Sequence, residues 1–257
     1  MRVNYIDCCD CLEGMKAIPD GSVDMVLCDL PYGTTRNKWD AIIPMGDLWA
    51  EYDRICKPNA AVVLFSQMPF TASLAASRPD IFRYEWIWEK NQGTGHLNAK
   101  KMPMKIHENV LVFYRTLPTY NPQFGEGKPY KAVYSTHSSN YGKQKDGIVT
   151  VNDGKRYPVD VIRVAKGAKD RHLHPTQKPV ALCEYLIKTY TNPGEVVLDN
   201  CMGSGTTAEA CLRAGRQFIG FEIMPEYHAI ATQRIAETVA EMAETGQQVK
   251  LEDVCAK

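Results

Sequence analysis

The stretch Glu195–Gly215, EVVLDNCMGSGTTAEACLRAG, constrains the fold more than any other. A short apolar run, a glycine loop and the start of a helix follow one another there without a gap. Gly203 and Gly205 let the backbone turn tightly and let a ligand approach the main chain. The exposed N–H groups at the start of the next helix favour an anionic ligand group. A second apolar run, Gln217–Glu222, ends on an acid placed to accept hydrogen bonds from ribose hydroxyls. Only 35 residues follow Glu222, enough for one helix from Pro225 to about Glu244 and a tail. The other strands of the sheet must therefore come from the N-terminal side, which makes the strand order a permuted one.

That side supplies them. Val23–Cys28, Ala60–Phe65, Tyr84–Trp88 and Asn109–Tyr114 read as strands bounded by turn residues. Leu48, Tyr52 and Ile55 recur at helical spacing between Pro44 and Pro58, and Pro69 opens a short helix. After the middle of the chain, Pro179–Tyr190 reads as a helix, Glu195–Asp199 as a strand and Thr206–Ala214 as a helix. Strands alternating with helices predict an α/β fold, a doubly wound, mostly parallel sheet with helices on both faces. At 257 residues the chain can bury one large core and at most a small lobe. Residues 115–172 break the rhythm with Pro118, Pro122, Pro129 and Pro158, many Lys and Tyr, and little periodicity. The expected organisation is one domain built from 1–114 and 173–257, interrupted by an insertion at 115–172 that serves recognition.

Composition narrows the function classes. No apolar run approaches a bilayer span and the N-terminus has no apolar signal core, so the expected location is the cytoplasm. Nine cysteines are many, and Cys8, Cys9 and Cys11 invite a zinc reading. No second Cys or His pair stands at ligand spacing, so free thiols and no metal are expected. The net charge of zero hides a split. Residues 83–178 hold 17 Lys+Arg against 8 Asp+Glu, and the rest holds 13 against 22, a balance of +9 against −9. Five of six histidines and seven of thirteen tyrosines share the basic third. This pattern suits a phosphate-backbone partner; a solvated lysine-rich surface is the alternative.

The glycine loop is ambiguous by itself. Gly203-x-Gly205-x-x-Ala208 with Glu222 downstream also satisfies a dinucleotide fingerprint, which keeps a nicotinamide-dependent oxidoreductase open. Asp199, just before the loop, suits a ligand carrying an ammonium group rather than a pyrophosphate. The second informative element is Asp29-Leu30-Pro31-Tyr32, directly after the strand Val23–Cys28. Ligands of parallel sheets bind at the carboxyl ends of strands, which aims these residues at the crevice. The alternative is a plain strand-end turn.

Taken together the two elements resemble the permuted (beta-class) amino-group DNA methyltransferases, in which Asp-Pro-Pro-Tyr precedes the cofactor loop. The resemblance extends to His174-Pro175-Thr176-Gln177-Lys178-Pro179, Leu186-Ile187, Val197-Leu198-Asp199, Gly203–Thr207, Gly215-Arg216 and Ile219-Gly220-x-Glu222. It covers about residues 4–114 and 172–235. Leu30 replaces a proline, and Asn200-Cys201 replaces Pro-Phe. The resemblance implies S-adenosylmethionine as cofactor and double-stranded DNA as substrate. It implies that Asp29 and the carbonyl around Leu30–Pro31 accept hydrogen bonds from the target amino group, and that Tyr32 stacks on a flipped base. On the cofactor side it implies Asp199, Cys201, Gly203, Ser204, Gly205 and Thr206 around the methionine part, with Asp29 bordering it. Glu222 goes to the ribose and Asp10 to the adenine amino group. Thr176 and Lys178 go beside the methionine carboxylate, with a surface role as the alternative for Lys178. No cysteine nucleophile is required. Asp at position 29 favours N6 of adenine over N4 of cytosine. A cognate restriction endonuclease and a homodimer are further expectations, and an RNA substrate or a silent DNA-binding module stays open.

Overall fold

Along Val23–Asp29, Val26 and Cys28 enter one apolar cluster while Met25 and Leu27 enter another, so both faces of this strand are buried. Burial on both sides is what a strand inside a parallel sheet requires. The computed structural model describes residues 1–33, 40–134, 148–165 and 177–246. In chain order its elements are β1 (Tyr5–Cys8), α1 (Cys11–Met15), β2 (Val23–Asp29), α2 (Met45–Ile55), β3 (Cys56–Ser66), α3 (Phe70–Ser77), β4 (Phe82–Thr94) and β5 (Lys105–Phe113). Then come β6 (Gly125–Glu126), β7 (Tyr130–Tyr134), β8 (Ile148–Asn152), β9 (Lys155–Arg156) and β10 (Val161–Arg163). The C-terminal part holds α4 (Val180–Tyr190), β11 (Val196–Asp199), α5 (Thr206–Arg213), β12 (Gln217–Glu222) and α6 (Pro225–Glu244).

The main sheet has eight strands in the order β1-β12-β11-β2-β3-β5-β4-β10. Every neighbouring pair is parallel except those of β5, which runs antiparallel to β3 and β4. Helices α1, α2 and α3 cover one face through Met15, Leu48, Tyr52 and Leu74. Helices α4, α5 and α6 cover the other through Leu186, Ile187, Cys211 and Ile235. This is the doubly wound, mostly parallel sheet expected from the sequence. Its organising contact is β11 beside β2, with Leu198 level with Val26. The two motifs, far apart in sequence, thereby become neighbours at the carboxyl ends of two adjacent central strands.

Strand bounds differ from the apolar pattern in an instructive way. β4 runs on from Trp88 to Thr94 although its side chains are no longer buried, because Thr94 still pairs with Lys105 of β5. Backbone pairing extends a hairpin beyond the point where burial marks it. β1 escapes a periodicity reading because only Tyr5 of its four residues is buried.

Residues Pro122–Val159 form a second compact unit, separate from Met1–Asn121 with Asp160–Lys257. It consists of two antiparallel ladders, β6 with β9 and β7 with β8. Val133, Val149 and Val151 are exposed on it. The Phe124 and Tyr157 rings lie 4.8 Å apart, and the Arg156 guanidinium lies 4.9 Å from the Tyr130 ring. The unit lies within the expected 115–172 insertion but is narrower than it. Val161–Arg163 pairs with Ile87–Glu89 as β10 and so belongs to the main sheet. The eight described cysteines are all free thiols, and Cys255 lies outside the described residues. Among the described residues no helix is long and apolar enough to cross a membrane, and no His, Cys, Asp or Glu cluster has metal-holding geometry.

Candidate active site

A cavity of about 820 Å³ opens at the carboxyl ends of β2, β11 and β12. Its walls include Asp10, Asp29, Pro31, Tyr32, Lys178, Asp199, Cys201, Gly203, Ser204, Thr206 and Glu222, so most of the residues singled out from the sequence converge on one space. Gly205 is not on the wall. Its φ of +82° and the Ala231 backbone, 3.1 Å from where a Cβ would sit, show that it allows the loop to pack against α6. Thr176 lies outside the described residues.

At one end stands Asp29, the last residue of β2. Tyr32 Oη donates to Asp29 Oδ1 at 2.5 Å, and the Tyr32 ring sits 5.2 Å from that of Phe70. Lys178 Nζ donates to Asp29 Oδ2 and lies 3.4 Å from Glu108 Oε2. Glu108 Oε1 in turn accepts from Lys90 Nζ at 2.9 Å. Burial pushes the Asp29 carboxyl up, and Lys178 pulls against it, leaving the group above its ordinary value. Burial alone would lower Lys178, but Asp29 and Glu108 outweigh it and hold the ammonium above its usual range. The Lys178 side chain is 8% exposed, so it is not a surface lysine. The sequence resemblance sets Lys178 beside the methionine carboxylate; in the structure its charge is committed to two protein carboxylates.

The other end is built by β11 and β12. Asp199 is buried; Cys201 N donates to its Oδ1 at 3.1 Å, and the Thr207 hydroxyl also bonds it. Burial raises its pKa to about 6, against these hydrogen bonds. Glu222 accepts from Gly203 N at 2.7 Å and from Met224 N at 2.8 Å, which fixes the carboxylate between the loop and the end of β12. Burial raises Glu222 as well. Asp10 caps α1, accepting from Leu12 N at 2.9 Å and Glu13 N at 3.3 Å. The replaced residues find a rationale: Leu30 is buried in the core, and Asn200 accepts from Tyr52 Oη at 2.6 Å.

Comparison with known proteins decides among the chemistries this cavity allows. The family model described as DNA methylase (N6_N4_Mtase) matches residues 23–233. The chain belongs to this DNA methylase family. It is therefore an S-adenosylmethionine-dependent DNA methyltransferase, and the nicotinamide-dependent alternative falls. The methylase is 28% identical over 240 residues to the DNA adenine methyltransferase YhdJ of Escherichia coli (strain K12), covering 88% of this chain and 80% of that one. It is 26% identical over 249 residues to the Type II methyltransferase M1.MboII of Moraxella bovis, covering 88% and 94%. The M1.HpyAVI–SAM complex superposes with a TM-score of 0.63 at 25% identity, covering 90% of this chain and 98% of that chain. The PvuII cytosine-N4-specific DNA methyltransferase shares the fold, with a TM-score of 0.63 at 16% identity over 96% of each chain.

Three members of the methylase site were not singled out from the sequence. Lys90 and Glu108 fall just outside the runs Tyr84–Trp88 and Asn109–Tyr114 that read as strands, so no local pattern marked them, whereas the structure includes them in β4 and β5. Buried Arg234 of α6 donates to the Thr206 hydroxyl at 3.0 Å and lies 3.3 Å from the Ser204 carbonyl, clamping the glycine loop. An arginine on an otherwise uncharged helix face was the available signal, since a buried cation needs partners.

Proposed function

We propose that the methylase is site-specific and transfers its methyl group to the exocyclic N6 of adenine in double-stranded DNA, after the base has left the duplex. The single observation that supports this best is the shared cavity, with Asp29, Pro31 and Tyr32 at one end and Asp199 and Glu222 at the other. The donor fits the second end. Asp199 is a buried carboxylate whose hydrogen bonds come from neutral groups, which suits an ammonium. Glu222 is held rigidly by two backbone N–H groups, which suits a ribose diol. Asp10 and the Cys201–Thr206 turn complete that end around the adenine and methionine parts.

When bound, S-adenosylmethionine supplies an electrophilic methyl group. The protein must do the rest. An exocyclic amino nitrogen is a poor nucleophile because its lone pair is delocalised into the ring. Asp29 accepts a hydrogen bond from that amino group, as does the carbonyl near Leu30–Pro31, and this localises the lone pair. Tyr32 stacks on the base and holds its plane. Positioning then accounts for most of the acceleration, and Asp29 is the acceptor for the proton that the amino group loses. Motif order, Asp29 ahead of Gly203, supports the permuted arrangement. Asp29 and the similarity to YhdJ support adenine; N4 of cytosine is the second reading. The Type II names of two relatives favour a cognate restriction endonuclease, and a homodimer acting in the cytoplasm goes with this reading.

The test is incubation with tritiated S-adenosylmethionine and mixed-sequence duplex DNA, followed by nucleoside analysis. N6-methyladenine is the expected product. Label in N4-methylcytosine would hand the reading to the second base, and label only in RNA added alongside would remove DNA from it.

A further inference from the structure

The charged chain at the catalytic end has a member whose purpose the reaction does not explain. Glu108 on β5 stands opposite Trp88 of β4, and its carboxylate lines the cavity. One oxygen is bonded to Lys90, while the other, buried, has no hydrogen bond among the described residues and faces Lys178 Nζ at 3.4 Å. Lys178 is thereby suspended between Glu108 and Asp29, and Lys90, the second cation, balances the pair of carboxylates.

We infer that Glu108 is a positioning residue for methyl transfer: it draws the Lys178 ammonium toward a second carboxylate, so that Lys178 orients Asp29 without neutralising it. This rests on the reading of Asp29 as acceptor of the amino proton. The physical argument is one of shared charge. A buried ammonium paired with one carboxylate binds it tightly and depletes its basicity, whereas an ammonium divided between two leaves each more basic. Asp29 has to remain a good acceptor inside a site that excludes water, and Glu108 keeps it so. Among the described residues, the groups that face Asp29 are Lys178 before α4, Glu108 on β5, Tyr32 on its own loop, Asp199 on the neighbouring β11, and the buried thiols Cys28 of β2 and Cys183 of α4; Lys90 of β4 acts through Glu108. In agreement with the geometry, Lys178 lowers the Asp29 carboxyl and Glu108 raises it.

Two substitutions should therefore move the same titration in opposite directions. In Glu108→Gln, Lys178 belongs to Asp29 alone. The acid limb of the single-turnover rate moves to lower pH, and the plateau falls about tenfold or more. In Lys178→Met, Asp29 loses its cation and the limb moves to higher pH. Glu108→Asp keeps the charge and restores the limb to near its wild-type position. S-adenosylmethionine affinity by calorimetry stays within about twofold in all Glu108 variants, because Glu108 lies at the far end of the cavity. If Glu108→Gln does not fold, Lys90→Met carries the test: Glu108 then pulls harder on Lys178, and the limb moves up. An unmoved limb in Glu108→Gln, or in Lys90→Met where the first variant does not fold, overturns the inference. So does an equal loss in Glu108→Asp and Glu108→Gln, since that is a packing effect. Asp29→Asn separates the two levels. If it is inactive while the Glu108 variants behave as wild type, only this inference fails; if it keeps its single-turnover rate, the reading of Asp29 fails first.

Discussion

The two ends of the cavity handle buried negative charge in opposite ways. At the catalytic end, Asp29 and Glu108 are matched by Lys178 and Lys90, so the protein supplies the counter-charges for its own carboxylates. At the other end, Asp199 and Glu222 are held by backbone N–H groups, and among the described residues neither forms an ion pair. Burying a carboxylate without a cation is costly, and the raised pKa of Asp199, about 6, records that cost. The difference matches the ligands. A base is neutral and needs an orienting acceptor, whereas the donor brings an ammonium and a sulfonium with it. One end is completed by the protein and the other by the cofactor.

The largest effect is expected at Asp29. Asp29→Ala should abolish turnover in a methylation assay, a loss on the order of a hundredfold or more, with S-adenosylmethionine affinity by calorimetry within a few-fold. Loss of both together would show that the two ends are not separable. Asp199→Ala comes next: removing one charge-assisted contact should cost about 1.5–3 kcal/mol of cofactor binding and leave DNA binding intact. The same carboxylate sets a pH dependence. Its ionised form binds the ammonium, so affinity in the wild type should fall as pH drops from neutrality through about 6, and Asp199→Asn should flatten that slope. Flat calorimetric affinity across that window in the wild type would contradict an ammonium at Asp199. Tyr32→Ala should lose roughly 1–3 kcal/mol of base stacking, measured as weaker binding of a duplex with an abasic or mismatched target partner, and Tyr32→Phe much less.

The smallest effects concern the basic middle of the chain. Lys100, Lys101, Lys105 and Lys155 are exposed, and each that touches a phosphate should lower the salt slope of DNA binding by about 0.9 when neutralised. Arg156 should behave differently. Its guanidinium is bonded to Asn152 and to the Lys128 carbonyl and stacks on Tyr130, so Arg156→Gln should lower the stability of the Pro122–Val159 unit more than it changes the slope. Lys143 and Lys145, which belong to the same basic stretch, lie outside the described residues.

Much of this was legible in the chain itself. Met25–Cys28 of β2, Ala60–Phe65 of β3 and Val196–Leu198 of β11 are buried on both faces, so these stretches are continuous apolar runs, and the glycine loop and the Asp29–Tyr32 turn stand right after such runs. Local chemistry of this kind is written locally: an apolar run must be buried, a glycine permits a turn, and an acid after a strand points into the crevice. What lay beyond reach is set by pairing across distance. The extension of β4 to Thr94 and the inclusion of Val161–Arg163 in the sheet follow from backbone bonds to partners that no local pattern marks. The same holds for Lys178. Its own neighbourhood in the sequence leaves it open between a ligand contact and a surface position. Only the juxtaposition of β2, β5 and the segment before α4 places its ammonium between Asp29 and Glu108. The layers of the fold, the family chemistry and the positions of the two motifs follow from the residues in their order along the chain. The tertiary structure alone decided which charges meet, because an ion pair depends on a few ångströms in space and not on spacing along the chain.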